Sequence, residues 1–178
     1  TSLSGQAVSD SVLLIAGGSW NRWEILDSGH RIRLQPGVIG GHANRYLAPF
    51  GRKIGPDPAS INAAMIGGIA ANNASGMCCG TSQNSYRTVA DMRIVFQDGT
   101  VLDTADPRSR DEFRYSHAQL LEQLGRLGRE VRGNSVLAER IRKKYKIKNT
   151  TGYSLNALVD YEDPFDGLVH LLIGSEGT

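Results

Sequence analysis

Met92-Arg93-Ile94-Val95-Phe96-Gln97-Asp98-Gly99-Thr100-Val101-Leu102 is the stretch from which the fold class is read. An apolar run, an Asp-Gly pair and a second short apolar run give the strongest hairpin signal in the chain, because a tight turn needs residues that tolerate positive φ. Upstream, His30 to Leu34 alternates with Ile32 and Leu34 on one face and stops at Pro36-Gly37, which predicts a half-buried strand and a turn. Val12 to Ala16 is an apolar run ending at Gly17-Gly18 and predicts a buried strand. Between these lies a predicted short helix, Gly41 to Ala48, with Ala43 and Leu47 inward and closed by Pro49 and Gly51.

Downstream the pattern is helical. Ser116-His117-Ala118-Gln119 fits a capping box, followed by Leu120, Leu121, Leu124, Leu127 and Val131 at helical spacing. A second helix is expected from about Ser135, with Leu137 and Ile141 inward and a basic outer face. Asp163-Pro164 is a helix start, a cap followed by proline at the first helical position. Phe165, Leu168, Val169 and Leu172 then share one face. Strands first, helices later and a hairpin between them argue for α+β rather than a regular βαβ alternation.

With 178 residues the chain is expected to be one domain, or two tightly packed halves. An apolar fraction of 40% and a charged fraction of 21% exclude wholesale disorder. The net charge of +2 gives no strong overall field toward nucleic acid or membrane. Apolar runs such as Val12 to Ala16 are about a third of a membrane span, and no targeting peptide is expected at the start. Both ends stop in loop-type sequence, which predicts a piece of a longer polypeptide.

Cys78 and Cys79 are adjacent, about 3.8 Å apart at Cα, too close for an unstrained bridge. They are expected to be reduced thiols, with reactive thiol chemistry as the alternative. His30, His42, His117 and His170 have no partners at metal-site or triad spacing, so no metal site is expected and no catalytic residue is assigned.

The 21 glycines, about 12% of the chain, exceed the usual ~7% and need local explanations. Four segments read as loops of small residues with bare backbone: Thr1 to Gln6, Ile66-Gly67-Gly68, Ala71 to Gly76 with Gly80-Thr81, and Gly174 to Thr178. Glycine lets main-chain N–H groups approach a ligand, and successive N–H groups cradle phosphate oxygens. Four such loops point to a long phosphate-containing ligand. Neither a Walker A motif nor G-x-G-x-x-G is present. Gly55-Pro56-Asp57-Pro58 adds a rigid extended segment. Arg140, Arg142, Lys143, Lys144, Lys146 and Lys148 form a basic cluster, read first as a solvated helix face, with an anion-binding or docking surface as the alternative. Tyr145 is its only interleaved aromatic, which argues against nucleic acid.

Four of these motifs, in one order, carry a resemblance: Thr1 to Gln6, Gly55 to Pro58, Ile66 to Gly76 and Ile173 to Thr178. The chain resembles the PCMH-type FAD-binding domain of the FAD-linked oxidase, or vanillyl-alcohol-oxidase-like, family over its whole length, residues 1–178. Within that family it looks like the bacterial FAD-linked D-lactate dehydrogenases. Lys148 to Leu158 is similar to the large members that carry a fused iron–sulfur domain.

The resemblance implies an α+β fold whose mostly antiparallel sheet is flanked by helices, holding FAD. Attachment is expected to be non-covalent, because no His stands at a flavin-facing motif and Ala71 to Gly76 is small and inert. It places Thr1, Ser2, Ser4, Gly5 and Gln6 at the end of the pyrophosphate loop, and Pro56, Asp57 and Pro58 along the cofactor. Gly67, Gly68, Asn72, Ser75 and Gly76 fall on the glycine-rich turn around pyrophosphate and ribityl chain. Thr81 and Tyr86 lie where the chain follows the flavin, and Glu176 and Gly177 match the adenine-side motif.

The implied parent oxidises a D-2-hydroxy acid, D-lactate first, to the 2-oxo acid, with an iron–sulfur cluster elsewhere in the parent and a quinone or cytochrome-type acceptor. The base and substrate ligands are expected in a cap outside this chain. A cytoplasmic protein is expected, peripheral at the inner membrane only through its parent, with no nucleic-acid partner. The competing reading is a non-enzymatic phosphate-ligand or nucleic-acid-binding module.

Overall fold

The computed structural model describes residues 15–150 and 152–176. These fall into two compact units, one of residues 15–88 with 150, 152 and 174–176, the other of residues 89–149 with 153–173.

The first unit opens with an antiparallel pair, β1 (Trp23–Leu26) and β2 (Arg31–Leu34), in register from Trp23↔Leu34 to Leu26↔Arg31. A 3-10 turn at Asp27–Gly29 joins them, with all three residues at positive φ. Gly29 is required there twice over: its φ is 85°, and a Cβ would sit 2.6 Å from the Phe50 ring. Ile32 and Leu34 are half-buried and Arg31 and Arg33 exposed, as the alternation predicts. The β1 strand was not legible because Trp23-Glu24-Ile25-Leu26 does not alternate.

Helix α1 (Gly40–Leu47) buries Ala43 and Leu47 and passes into a 3-10 turn at Ala48–Phe50, stopped by Gly51 at φ 66°. Trp23 stacks on Tyr46 of this helix, ring centroids 4.1 Å apart. The strand expected at Val12 to Ala16 is not present where it can be seen. The Gly17 N–H turns back onto the Ile15 carbonyl at 2.9 Å, and Ile15 is exposed. Val12 to Leu14 lie outside the described residues.

Ile66-Gly67-Gly68 is also corrected: it is the first turn of a helix, α2 (Ile66–Ala71), not a loop. Met65 is extended at φ −79°, ψ 148° and bridges to Ile39, which sets the helix start. Ile69 packs with Ala64 and Ala74 in a small core. A short helix α3 (Ser85–Thr88) closes this unit's main run.

The second unit contains the hairpin, β3 (Arg93–Val95) with β4 (Val101–Asp103), paired Arg93↔Asp103, Ile94↔Leu102 and Val95↔Val101. The Phe96 N–H donates to the Thr100 carbonyl, and Gly99 at φ 84° takes the left-handed position of the turn. Helix α4 (Pro107–Ser116) follows, capped by Asp106, whose carboxylate accepts from the Arg108 N–H. Its Ser116 is the last helical residue, so the expected capping box is absent. The Ser116 hydroxyl bonds the Glu112 carbonyl instead, and His117 stands at the N-cap of α5 (Ala118–Gly133) without a side-chain cap.

Leu121 and Val131 of α5 are buried, whereas Leu120 and Leu127 are exposed. In α6 (Ser135–Lys144) the buried residue is Ala138, and Ile141 packs beside it; Leu137, expected inward, is exposed. Asn134 caps this helix through the Leu137 N–H. After α7 (Ala157–Asp160), helix α8 (Pro164–Leu172) starts as predicted: Asp163 Oδ1 accepts from the Phe165 N–H at 2.7 Å and from Asp166 at 3.4 Å. Phe165 and Leu168 join Leu102, Phe113 and Leu121 in this unit's main core. Among the described residues no helix is long and apolar enough to cross a membrane.

Candidate functional site

The candidate residues that can be placed all belong to the first unit. Thr1, Ser2, Ser4, Gly5, Gln6 and Gly177 lie outside the described residues. The others are drawn together by a few specific contacts. Segment 54–58 follows α1 and its 3-10 turn; its Ile54 N–H donates to Asn44 Oδ1 at 2.9 Å, and Pro56 and Pro58 are buried. Gly76 lies directly on this segment: a Cβ there would overlap the carbonyl and the carboxylate of Asp57. Gly55 meets the Gln83 carbonyl in the same way. Lys53 Nζ stands 3.8 Å from Asp57 Oδ2.

The end of α2 forms the next contact. Asn72 is its C-cap, and Asn73 follows at φ 46°, a left-handed position that asparagine tolerates. Asn73 is buried and its Oδ1 accepts the Tyr86 N–H at 3.2 Å, so the turn is bonded to α3. Ala74, Ser75 and Tyr86 are buried beside it. Segment 174–176 then docks on the α2 C-terminus: the Gly174 N–H donates to the Ala70 carbonyl at 2.9 Å and the Glu176 N–H to Ala71 at 2.7 Å. The Asn72 carboxamide donates to Glu176 Oε1 at 2.7 Å. Thr81 is half-buried in the loop between Gly76 and α3.

The glycines here do different work. The Gly67 N–H is donated to the Pro36 carbonyl at 2.9 Å, and a Cβ would sit 2.8 Å from the Pro36 ring. Gly67 thus lets two chain segments pack, and its amide is committed to a carbonyl. Gly68 accepts the Asn72 N–H through its carbonyl. Gly80, by contrast, has φ 51° and open space where a Cβ would be. Beside it Cys79 is buried, with Sγ 3.7 Å from the Gly76 and Gly80 carbonyls, and Cys78 is exposed.

The polar set is therefore two hydroxyls (Ser75, Thr81) and a carboxamide (Asn72) that can donate, a carboxylate (Glu176) that accepts, and backbone beside an uncrowded glycine. That chemistry suits the hydroxyls and phosphates of a nucleotide cofactor. Among the described residues no cluster of His, Cys, Asp or Glu could hold a metal ion. Sequence reading missed Asn44, Asn73 and Asn84, whose side-chain oxygens accept backbone N–H groups and fix the loops. Their signal was the residue type itself, asparagine at helix ends and turns.

The family model of the FAD binding domain matches residues 1–105. The chain belongs to the FAD binding domain family. This FAD binding domain is 28% identical to the D-2-hydroxyglutarate dehydrogenase of Escherichia coli (strain K12) over 189 residues, covering all of this chain and 18% of that protein. Its likeness to the D-2-hydroxyglutarate dehydrogenase of Pantoea ananatis is also 28%, over 186 residues, with the same coverage. It is 38% identical to the glycolate oxidase subunit GlcD of Escherichia coli (strain K12) over 81 residues, 44% of this chain and 16% of that protein. The domain thus spans about a fifth of the length of the curated relatives it matches. No solved structure matches it. The α+β class, the FAD-linked oxidase family and FAD as the cofactor follow from these findings and the fold.

Proposed function

We propose that this FAD binding domain serves a dehydrogenase that oxidises a D-2-hydroxy acid to the 2-oxo acid. The observation that carries the reading is the convergence of Asp57 with Gly76, and of Asn72 with Glu176, in one unit of a chain whose relatives bear the names of 2-hydroxy-acid oxidoreductases. FAD, when bound, supplies acceptance of a hydride from the alcohol carbon. The protein's part is to hold it: Pro56, Asp57 and Pro58 would line one side, Asn72, Ser75, Gly76 and Thr81 would offer donors and close backbone, and Glu176 would anchor the segment at the α2 end. Tyr86 supports the turn from α3.

D-lactate is the finer reading that the sequence resemblance favours, and D-2-hydroxyglutarate is the competing substrate named for the relatives. An iron–sulfur group in the parent and a quinone or cytochrome-type acceptor complete the proposal. The deciding test is anaerobic mixing of the purified full-length protein with D-lactate, D-2-hydroxyglutarate, glycolate and the L-enantiomers. The flavin's visible absorption band should bleach with a D-acid and persist with the L-acids. A yellow protein bleached by none of them would overturn the substrate class, and a colourless one would overturn the cofactor assignment.

A further inference from the structure

We propose that the outer face of α6, with the turn that follows it, is a landing surface for an anionic lipid headgroup layer. Between Asn134 and Thr150 the chain carries six cations, Arg140, Arg142, Lys143, Lys144, Lys146 and Lys148, against one carboxylate, Glu139, although its net charge is only +2. All six are exposed. The helix is anchored on its opposite side, where Ala138 is buried and Ile141 packs with Val131, Leu158 and Val159. Val136, Arg140 and Lys143 recur at four and three residues and so share the face turned away from that core. Glu139 reaches Arg142 at 3.8 Å.

Part of this charge has a local role. Arg142, Lys143 and Lys144 occupy the last turn, where cations oppose the helix dipole. That account does not extend to Lys146 beyond the helix, or to the apolar residues exposed in the same stretch, Val136 at 79% and Ile147 at 65%.

The chemistry of the patch selects among anionic partners. Four of the six cations are lysines, which are depleted at protein–protein interfaces where arginine and aromatics are enriched. Single-stranded nucleic acid needs aromatic faces for stacking. Tyr145, the aromatic within the cluster, has its hydroxyl committed, donating to the Tyr153 carbonyl and accepting the Leu155 N–H, both at 3.0 Å. A bilayer surface asks for what is present: lysines that reach headgroup phosphates on long stems, and aliphatic side chains at their margin. Clusters of four to eight basic residues on a helix bind such surfaces by charge.

The test is co-sedimentation of the full-length flavoprotein with vesicles of phosphatidylglycerol and phosphatidylethanolamine, or of phosphatidylcholine alone. Binding should require the anionic lipid and fall away in ~0.5 M salt, where screening shortens to a few ångströms. The triple variant Lys143→Gln, Lys144→Gln, Lys146→Gln should lower the partition coefficient by about a hundredfold, with flavin content and circular dichroism unchanged. Ile147→Asn should lower it by a few-fold. Equal binding to both vesicle types, no binding to the anionic vesicles at low salt, or undiminished binding by a folded triple variant would overturn the proposal. So would an oligonucleotide or an acidic protein that binds the patch more tightly than the vesicles. None of these readouts depends on which hydroxy acid is oxidised.

Discussion

The Asn72 carboxamide donates to Glu176 Oε1 at 2.7 Å, across 104 residues of chain. The contact closes the α2 C-terminus onto a segment that enters the unit from the far end of the sequence, and it is seconded by the Glu176 N–H on the Ala71 carbonyl. It joins two of the motifs on which the family resemblance rests. Asn72→Ala, Glu176→Ala and the double variant should show a coupling of about 1 kcal/mol in urea unfolding, the usual net worth of a hydrogen bond. Flavin affinity should fall in both single variants. Additive effects would mean that the two residues act separately.

Gly76 and Gly80 offer a contrast within one loop. Gly76→Ala would drive a methyl group into the Asp57 main chain, so the cost should be about 1–3 kcal/mol and should displace the segment from Pro56 to Pro58. Gly80→Ala meets no neighbour, and its cost should be only that of a left-handed backbone, about 1 kcal/mol. Thermal unfolding of the two variants side by side checks the order. A Gly76→Ala protein as stable as Gly80→Ala would show that the segment gives way freely.

Asp98 links the hairpin turn to α5. Its carboxylate accepts from the Thr100 N–H and hydroxyl, each at 2.9 Å, and lies 3.3 Å from His117 Nε2. These contacts hold its pKa below the ordinary value, the Thr100 N–H most, then the Thr100 hydroxyl, with His117 a smaller influence. A lowered carboxyl pKa means that the folded state favours the anion. The stabilisation is therefore present above the unfolded pKa and is lost as pH falls through the folded one. The difference in Tm between wild type and Asp98→Ala should narrow only below about pH 4, the ordinary aspartate range. A difference that is flat down to acid pH would show that the charge is not involved.

The α8 cap separates two roles of one carboxylate. Asp163 accepts the helix N–H groups through Oδ1 and receives Arg110 Nη2 at 2.9 Å on Oδ2. Asp163→Asn keeps a capping oxygen and loses the charge pair, so it should cost under about 1 kcal/mol. Asp163→Ala loses the cap as well and should cost about 1–2 kcal/mol. Equal losses would show that the ion pair carries the whole effect.

What was legible in the sequence follows from the range of the interactions. The hairpin at Asp98-Gly99, helix α1 and the α8 start are set by residues within a few positions, and all three stand where local chemistry puts them. Helix α4 was legible in principle, because Asp106-Pro107 repeats the signal read at Asp163-Pro164. Helix α2 was hidden by its glycines, which lower helix propensity. It forms because Met65 is pinned to Ile39 and Ile69 has a core to enter. Ser116 does not cap α5, because a hydroxyl can bond back to a preceding carbonyl as readily as it caps a following turn. The pairing of Asn72 with Glu176 had no local signature. The motif residues were recognisable as types, but their contacts depend on the fold.

The mode of flavin attachment gives the last prediction. Covalent attachment needs a nucleophilic side chain at the cofactor, and the loops assigned to it supply few. Cys79 is buried, with its sulfur directed to the Gly76 and Gly80 carbonyls. Cys78 is exposed, which makes it the thiol of the loop that a ligand could reach. Acid precipitation of the full-length protein should release its flavin to the supernatant, and Cys78→Ser should bind FAD as the wild type does. Cys79→Ser should lower stability, because a hydroxyl would then be buried where the thiol sits, while leaving the flavin equally extractable. Flavin that stays in the acid pellet of the wild type and is freed by Cys78→Ser would show instead that the exposed thiol is the point of attachment, and that this loop binds the isoalloxazine end rather than the phosphates.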